Sequence, residues 1–403
     1  MTAFRSTRVR LLVAALGALF AFALTAIPAG AAPTLGSYIV VLRAGTASPA
    51  AVAAEQAGRL GGSVGFVYSH ALTGYSARLP VTAVAALAAD PRVGWIEPDG
   101  IMRADATQTG ATWGLDRVDQ RALPLDGSYT YTGGGSGVKA YIIDTGIHFS
   151  HSDFGGRAIR GTDTVTSSGL LGSGLLGGGS ASTNGEDCNG HGTHVSGTVG
   201  GATYGVAKQV TLVAVRVLDC GGSGATSSVV AGIDWVTGNH QAGQPAVANM
   251  SLGGGASSAL DTAVQNSIND GVAYGIAAGN GNQVGMAQDA CGTSPARVAA
   301  AMTIGATDNT DAKASFSNYG SCVDWFAPGV NITSDWYSSD TATNTISGTS
   351  MATPHTVGVA ALYLGANPSA SPAAVRDGLY NLTTKGIVTS SSTANNHLLF
   401  SNL

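Results

Sequence analysis

The chain has 403 residues, enough for more than one domain with a deep core, and only 11% of them are charged. Glycine contributes 58 residues, about twice its usual share, and hydrophobic residues make up 44%. This composition excludes a disordered chain, and a net charge of −5 without a basic region argues against a nucleic-acid partner.

The first 31 residues have the layout of a secretory signal peptide. Arg5, Arg8 and Arg10 precede an uncharged apolar run over 11–27, and small residues up to Ala31 offer a cleavage site. The alternative is a membrane anchor, but the run is shorter than the ~20 residues that a spanning helix needs. We therefore expect a signal peptide over residues 1–31 and a secreted, extracellular protein that does not associate with membranes.

Residues 37–100 form a small separate unit by their pattern. Strand-like stretches at 37–42, 64–68, 75–79 and 93–96 are interrupted by helical stretches at 49–60 and 81–89. The order β-α-β-β-α-β predicts a small α+β unit of the ferredoxin-like, split βαβ type. Residues 102–112 are expected to form an exposed connector.

From residue 137 the pattern changes to α/β. Short apolar strands are predicted at 138–143, 211–217, 246–250, 272–277 and 302–304, with helices at 227–237, 259–269, 351–364 and 372–382. Apolar strands that alternate with helices predict a central parallel sheet covered by helices on both faces. Residues 162–185, rich in Gly, Ser and Leu, are expected to form a mobile surface loop.

The chain has four cysteines: Cys188, Cys220, Cys291 and Cys322. An even number in an exported chain predicts two disulfides, and the count alone leaves three connectivities open. The absence of any C-x-x-C pair argues against a zinc site built from sulfur.

Three segments carry residue types suited to nucleophilic catalysis. Asp144 directly follows the strand at 138–143, and functional groups gather at the carboxyl ends of parallel strands. His191 lies among small residues, where a proton carrier fits a crowded cleft. Ser350 opens the strongest predicted helix, where unpaired N–H groups can stabilise an oxyanion. Taken singly, each has a plainer interpretation: a turn aspartate, a core histidine and an N-cap serine.

His194 lies three residues after His191, so the two could share a helical face. A metal site is the alternative interpretation, but the glutamate of the H-E-x-x-H zinc motif is missing. A core histidine is the simpler prediction for His194.

In their order along the chain, D-T-G from Asp144, H-G-T-H from His191 and G-T-S-M-A-T-P-H around Ser350 resemble the signature segments of subtilases, the subtilisin-like serine proteases. The resemblance covers nearly all of 109–403 and is strongest to the proteinase K branch, especially aqualysin-like enzymes. W-G-L-D-R at 113–117, N-M-S-L-G-G-G at 249–255 and the positions of the cysteines carry it. It supports pairing Cys188 with Cys220 and Cys291 with Cys322.

The resemblance implies a subtilisin-like three-layer αβα fold and acyl transfer by a triad. Ser350 would be the nucleophile, His191 the general base and acid, and Asp144 the residue that orients the imidazole. Asn280 would donate to the oxyanion beside the N–H of Ser350. The substrate would lie as an added strand between two edges, against a small uncharged wall. The implied substrate-binding residues are Gly222, Ser223, Gly224, Ser251, Leu252, Gly253, Ala277, Ala278 and Gly279. We expect a roomy apolar primary pocket, loose selectivity, and acceptance of aromatic and aliphatic side chains.

Structural Ca²⁺ is the expected metal. A first site would use oxygens of Asp116, Asp119, Gln120, Asp126 and Ser128; the first three stand at i, i+3 and i+4. By resemblance, a second site would use the carbonyls of Ala299 and Ala301 with Asp324. The alternative is that these acids are solvated surface groups.

The leading unit resembles the subtilase propeptide, an intramolecular inhibitor and folding aid. A folding aid is useful because a parallel sheet has non-local contacts and folds slowly. The resemblance places the propeptide at 32–105 and the catalytic domain at 106–403, with the mature chain starting at Ala106. Two stretches, 162–185 and 283–290, are longer than the resemblance leads us to expect.

The sequence thus predicts a secreted, monomeric serine endopeptidase, made as a zymogen and acting on proteins and peptides. Two other classes were weighed. A non-catalytic binding protein on the same scaffold would lack a triad member or the oxyanion donor, and none is missing. An esterase or lipase of the α/β-hydrolase type would need G-x-S-x-G with its histidine last in the chain, which Ser350 and His191 do not satisfy.

Overall fold

The computed structural model describes residues 34–99, 105–165, 183–282 and 284–403. The chain divides into two compact units, Met1–Ile101 and Met102–Leu403, and each is described by itself. The predicted signal peptide and most of the predicted surface loop, residues 166–182, lie outside the described residues.

The first unit is a four-stranded antiparallel sheet with two helices. Its elements are β1 (Leu35–Leu42), α1 (Pro49–Arg59), β2 (Ser63–Tyr68), β3 (Gly74–Pro80), α2 (Val84–Ala88) and β4 (Val93–Pro98). The strand order is β2-β3-β1-β4. Alternate residues such as Val40, Leu42, Tyr75 and Leu79 are buried in its core, and the four strands lie where the sequence predicted strand-like stretches.

The second unit is larger and mixes strands with helices. Its first half contains β5 (Asp105–Thr109), α3 (Trp113–Val118), β6 (Ser128–Thr132), β7 (Lys139–Asp144), β8 (Ala158–Asp163), α4 (His191–Gly200), β9 (Thr211–Arg216), α5 (Thr226–Asn239), β10 (Ala246–Met250) and β11 (Gly254–Gly255). Its second half contains α6 (Ser258–Asp270), β12 (Ala273–Ala277), β13 (Thr293–Ser294), β14 (Met302–Thr307), β15 (Trp325–Pro328), β16 (Ile332–Asp335), β17 (Thr343–Ile346), α7 (Thr349–Ala366), α8 (Pro372–Leu382), β18 (Thr384–Lys385) and β19 (His397–Leu398).

A nine-stranded sheet runs through this unit in the order β18-β19-β15-β14-β12-β10-β7-β9-β8. The five strands predicted from the sequence are neighbours in the middle of this sheet and pair in parallel. They are β14, β12, β10, β7 and β9. Among the described strands of this sheet, the short β18 is antiparallel to its neighbour β19, and the other neighbouring strands are parallel. The prediction of a central parallel sheet is confirmed.

Helices cover both faces of the sheet, because the strands bury alternate side chains on opposite sides. Ala140 and Ile142 of β7 pack into one core with residues of α4, α7 and α8. Tyr141 and Ile143 pack into a second core with α5 and α6. This is the expected three-layer αβα architecture.

Two expectations about irregular segments were wrong in part. Residues 105–109 of the predicted connector form strand β5, which pairs antiparallel with β6, so that Ala106 lies opposite Tyr131. Thr162 and Asp163, placed in the predicted loop, belong to edge strand β8. β5 belongs to a separate two-stranded sheet and β8 lies at the edge of the nine-stranded sheet, so neither sequence carries an extended apolar pattern.

Cys188 bonds to Cys220 and Cys291 to Cys322, with Cα–Cα distances of 5.0 and 5.3 Å. Of the three connectivities, the structure has the neighbour pairing that the resemblance favoured. The first bond joins the segment before α4 to the loop after β9. Over the described residues, the helices are all too short or too polar to cross a bilayer.

Candidate active site

Asp144 ends the central strand β7 and is completely buried. Its Oδ1 lies 2.8 Å from Nδ1 of His191 and accepts the backbone N–H of Thr145 at 2.7 Å. Strand β7 lies between β9 and β10, so the carboxylate is fixed by a rigid element at the carboxyl edge of the sheet.

His191 is the first residue of α4, and glycines let this helix approach the loop after β7. Gly190, the N-cap, has φ 110°, a conformation that favours glycine. A Cβ on Gly192 would lie only 2.1 Å from the carbonyl oxygen of Gly146. The small residues flanking His191 are therefore required for the imidazole to reach Asp144.

Burial of His191 lowers its pKa, but the neighbouring carboxylates of Asp144 and Asp187 outweigh this and leave the pKa above its usual value. The side chain is about 25% exposed. Its Nδ1 faces Asp144, so Nε2 is the nitrogen available to the cleft.

Asp187 supports this arrangement, although the sequence analysis did not single it out. Its Oδ1 accepts from the hydroxyl of Thr145 at 2.9 Å and from the N–H groups of Asn189 and Gly190 at 2.9 and 3.0 Å. Its Oδ2 accepts from the N–H and hydroxyl of Thr193 at 2.9 and 2.6 Å. One buried carboxylate therefore ties the start of α4 to the loop that follows Asp144.

Ser350 is the second residue of α7. Its Oγ donates to the carbonyl of Ser251 at 3.1 Å, and the hydroxyl of Ser251 donates back to the carbonyl of Ser350 at 2.8 Å. None of the hydrogen bonds found among the described residues joins Ser350 to His191.

Ser350 and His191 nevertheless lie along one cleft. A cavity of about 520 Å³ is lined by His191, and one of about 880 Å³ is lined by Ser350. The two cavities share residues 251–255 as a common wall. The structure thus brings Asp144 and His191 into contact and places Ser350 farther along the same cleft.

Asn280 is held in a fixed orientation beside Ser350. Its Oδ1 accepts from the N–H and the hydroxyl of Thr349 at 2.8 and 2.9 Å. A Cβ on Gly348 would lie 3.4 Å from Nδ2 of Asn280 and 3.5 Å from the N–H nitrogen of Ser350. Two N–H donors therefore border one small space that Gly348 leaves open.

The predicted substrate-binding residues fall on these cavities, with one exception. Gly222, Ser223 and Gly224 line the smaller one; Ser251, Leu252 and Gly253 line both; and Ala277 and Gly279 line the larger one. Ala278 is buried in the core instead. No charged side chain is found among the described residues that line the larger cavity.

Asp219 organises one edge of the cleft and was also missed by the sequence analysis. Its Oδ1 accepts the N–H groups of Gly221 at 2.9 Å and Ser223 at 3.0 Å, and its own N–H donates to the carbonyl of Ser223 at 2.8 Å. An aspartate that accepts hydrogen bonds from its own loop is common in turns. The sequence therefore does not distinguish Asp219 from any turn residue, and only the structure shows that it lies at the cleft.

The residues proposed for a first calcium site share one neighbourhood. Gln120 and Gly127 both donate to the carboxylate of Asp116, and Ser128 donates to Asp126. Oδ2 of Asp119 accepts from Thr130 at 2.7 Å, but its buried Oδ1 has no partner. Burial raises the pKa of Asp119 to about 6. Within the described ranges, no group of three or more His, Cys, Asp or Glu side chains forms a metal site, so any ion here depends on mixed oxygen donors.

The second predicted calcium position is arranged differently. Asp324 and Ala299 line a cavity of about 90 Å³, whereas Ala301 is buried in the core. Both carboxylate oxygens of Asp324 are engaged, one by the guanidinium of Arg376 and the other by the N–H of Thr303 at 2.8 Å.

His194 is completely buried, and its Nε2 lies 3.0 Å from the carbonyl oxygen of Ile332. Burial lowers its pKa to about 4, so it stays neutral. This is the core histidine that the sequence predicted.

Comparison with known proteins agrees with the fold. The model of the subtilase family matches residues 135–399. The chain is 54% identical over 359 residues to the extracellular serine proteinase of Thermus sp. (strain Rt41A), which covers 88% of this chain and 82% of that protein. It is 52% identical over 341 residues to the alkaline serine exoprotease A of Vibrio alginolyticus, covering 83% of this chain and 60% of that protein.

The crystal structure of a cold adapted subtilisin-like serine proteinase matches with a TM-score of 0.66 at 50% identity, over 73% of this chain and all of that one. With a family match over most of the second unit and relatives above 50% identity, the chain belongs to the subtilase family and is a subtilisin-like serine endopeptidase.

Proposed function

We propose that Asp144, His191 and Ser350 are the catalytic triad. The observation that carries this proposal is the 2.8 Å contact between buried Asp144 and Nδ1 of His191, at the end of a cleft that also contains Ser350. The carboxylate fixes the tautomer with the proton on Nδ1, which leaves Nε2 free to accept a proton from the nucleophile.

In this proposal Ser350 changes its hydrogen bond when substrate binds. Rotation about its Cα–Cβ bond moves Oγ from the carbonyl of Ser251 towards Nε2 of His191. Oγ attacks the peptide carbonyl and its proton passes to His191, which then donates it to the leaving amine. Water hydrolyses the acyl-enzyme by the same route. Contacts of this kind are often loose before substrate binds.

The oxyanion is stabilised by Nδ2 of Asn280 and the N–H of Ser350, which border the space beside Gly348. Thr349 holds the other amide atom of Asn280, so the side chain need not reorient as charge develops.

We further propose a broad specificity with preference for apolar side chains. An extended substrate segment pairs with the edges at 222–224 and 251–253, and its primary side chain enters the larger cavity. The described lining has no carboxylate to pair with lysine or arginine, and Leu252 and Ala277 supply apolar contacts for an aromatic or aliphatic side chain.

Residues 32–105 are proposed as a propeptide that inhibits the enzyme and assists its folding, with the mature chain starting at Ala106. The first unit is a separate compact unit with its own hydrophobic core, which supports its assignment as a propeptide. Residues 1–31 are proposed as a secretion signal, and the mature enzyme as an extracellular monomer. The extracellular description of the Thermus relative supports this location.

Calcium is proposed at the first site, where Asp116, Asp119, Gln120, Asp126 and Ser128 supply oxygen donors. The fit rests on the buried, unpartnered Oδ1 of Asp119, since a cation would satisfy it. The role is structural: the ion would join the end of α3 to the strand β6. At Asp324 the present contacts do not fit a calcium ion, because Arg376 already neutralises the carboxylate.

The test is hydrolysis of a peptide-amide library by the mature protein, with Ser350→Ala as the control. Cleavage after phenylalanine, leucine and similar residues, absent in the control, is the expected result. Hydrolysis confined to long-chain esters, or cleavage only after basic residues, would contradict the proposal.

A further inference from the structure

A buried acid outside the triad, Asp335, has no partner that accounts for it. It ends strand β16, is completely buried, and neither of its carboxylate oxygens has a hydrogen-bond donor. An ionised carboxylate in such a place is costly unless a cation or several donors compensate it.

The second carboxylate of the pair is Asp153. A Cβ on Gly201 would lie 2.2 Å from Oδ2 of Asp153 and 3.2 Å from Oδ2 of Asp335, so both carboxyl groups face one point. Asp153 accepts the N–H of Thr203 at 2.8 Å, whereas neither oxygen of Asp335 has a donor. Two like charges so close would repel each other, which leaves Asp335 as the member that holds a proton.

The basic side chains nearby, Arg157 and His151, do not donate a hydrogen bond to Asp335 that would compensate a negative charge there. Arg157 donates to the carbonyls of Gly200, Val210 and Asp153 instead of to either carboxylate. Nε2 of His151 lies 2.9 Å from the carbonyl of Ala342, while its Nδ1 accepts from the N–H of Asp153 and lies 3.5 Å from Oδ1 of Asp335. Both ring nitrogens of His151 are thus engaged by backbone groups, and neither is within hydrogen-bond distance of Asp335.

Tyr204 faces the pair from the loop after α4, where the two carboxyl groups contribute to its raised pKa after burial. Burial first, and then Asp153, raise the pKa of Asp335 to about 8. The geometry and the raised pKa both favour an acid pair in which Asp335 holds the proton.

The pair lies against the helix that carries His191. A Cβ on Gly197, in the last turns of α4, would be 2.7 Å from Oδ2 of Asp335. The next residue, Trp336, covers the other end, because a Cβ on Gly190 would be 2.5 Å from its ring. Residues 334–336 therefore touch both ends of α4.

We propose that Asp335 is a positioning residue for His191: with Asp153 it forms a buried acid pair that seats helix α4 while it holds one proton and loosens it when that proton is lost. This rests on the proposed role of His191. It predicts an alkaline limit on activity that does not arise from the triad itself.

The sign for stability follows from linkage. Between about pH 4 and pH 8 the folded chain holds a proton that the unfolded chain has released. The unfolding equilibrium constant therefore rises about tenfold per pH unit over this range and levels off above it. Asp335→Asn keeps the shape and donates to Asp153 without titrating, so it lacks this contribution.

The stability arm uses Ser350→Ala as background to prevent self-digestion. Unfolding is measured from pH 5 to pH 10 with and without Asp335→Asn. The expected result is a ratio of unfolding constants that grows with pH up to about 8 and is then constant. Asp340→Asn is the matched control, since Asp340 is on the same segment but its side chain is 62% exposed. Parallel curves for Asp335→Asn and its background would overturn the proposal.

The activity arm follows kcat and KM of the otherwise unsubstituted enzyme. Above pH 8 its kcat should fall, by up to ~100-fold for a catalytic group misplaced by about 1 Å, while KM is kept. Asp335→Asn should retain kcat at pH 10. If kcat falls above pH 8 in the same way in the unsubstituted enzyme and in Asp335→Asn, the positioning role is refuted.

If Asp335→Asn does not fold, infrared spectroscopy of the Ser350→Ala chain decides the matter. It should show a protonated carboxyl stretch that disappears near pH 8, and absence of the band at pH 6 would reject the pair. If no form of the enzyme cleaves peptides, the proposed function fails, whereas the stability and infrared results still test the pair.

Discussion

Replacing Asp187 by asparagine removes one charge and one acceptor from beneath the start of helix α4. Asparagine can keep its carbonyl towards Thr145, Asn189 and Gly190, but its NH₂ then points at the N–H of Thr193. One buried backbone donor loses its partner, at a cost of about 1–3 kcal/mol, and the remaining bonds lose their charge assistance. We expect the free energy of unfolding to fall by about 2–4 kcal/mol.

The same change moves the pH dependence in a definite direction. Asp187 is one of the two carboxylates that raise the pKa of His191, so its loss lowers that pKa. His191 must be neutral to accept a proton, and the acid limb of kcat/KM should therefore shift to lower pH.

The assay is kcat/KM against pH on a peptide amide, with denaturant unfolding of the Ser350→Ala forms alongside. Asp219→Asn is the matched control, because Asp219 lies at the cleft edge and contributes nothing to the His191 shift. An acid limb that stays in place or moves to higher pH would refute the reasoning.

Three further substitutions or conditions test other parts of the site. Asn280→Ala should lower kcat by about 10²–10³ with KM little changed, since one oxyanion donor is lost. An unchanged kcat with a raised KM would contradict this. Gly192→Ala should reduce kcat by about 10², because its Cβ would meet the backbone oxygen of Gly146 and push His191 away from Asp144; full activity would show that α4 can move freely. Removing Ca²⁺ with EDTA should shorten the thermal half-life, and Asp119→Asn should abolish that sensitivity, as followed by residual activity after heating.

The strands of the central sheet were predictable because they are buried on both faces. β10 and β12 are completely buried, and their apolar runs needed no knowledge of their neighbours. The sequence analysis missed β5 and β8 because these edge strands are held mainly by backbone hydrogen bonds. Such strands need no regular alternation of apolar residues. In β15 the sequence W-F-A-P is short and ends in proline, which weakens the strand pattern although every residue is buried.

The site divides in the same way. Residues whose chemistry is local to a motif, such as Asp144, His191 and Ser350, were identified as candidates from the sequence. Their supports were not. Asp187 resembles any turn aspartate until its five hydrogen bonds are seen, and Asp335 resembles an exposed polar residue of a short strand. Burial of such acids depends on distant segments that pack over them, and spacing along the chain does not encode it.

The central claim is that Ser350 is the nucleophile and His191 activates it. The most direct measurement treats the mature enzyme with a serine-directed phosphonylating reagent and locates the adduct by peptide mass spectrometry, with His191→Ala as the comparison. The account predicts one adduct, on Ser350, formed at a rate that rises with the neutral fraction of His191 and is nearly lost in His191→Ala. An adduct on another residue, or equal labelling of Ser350 in both proteins, would contradict it.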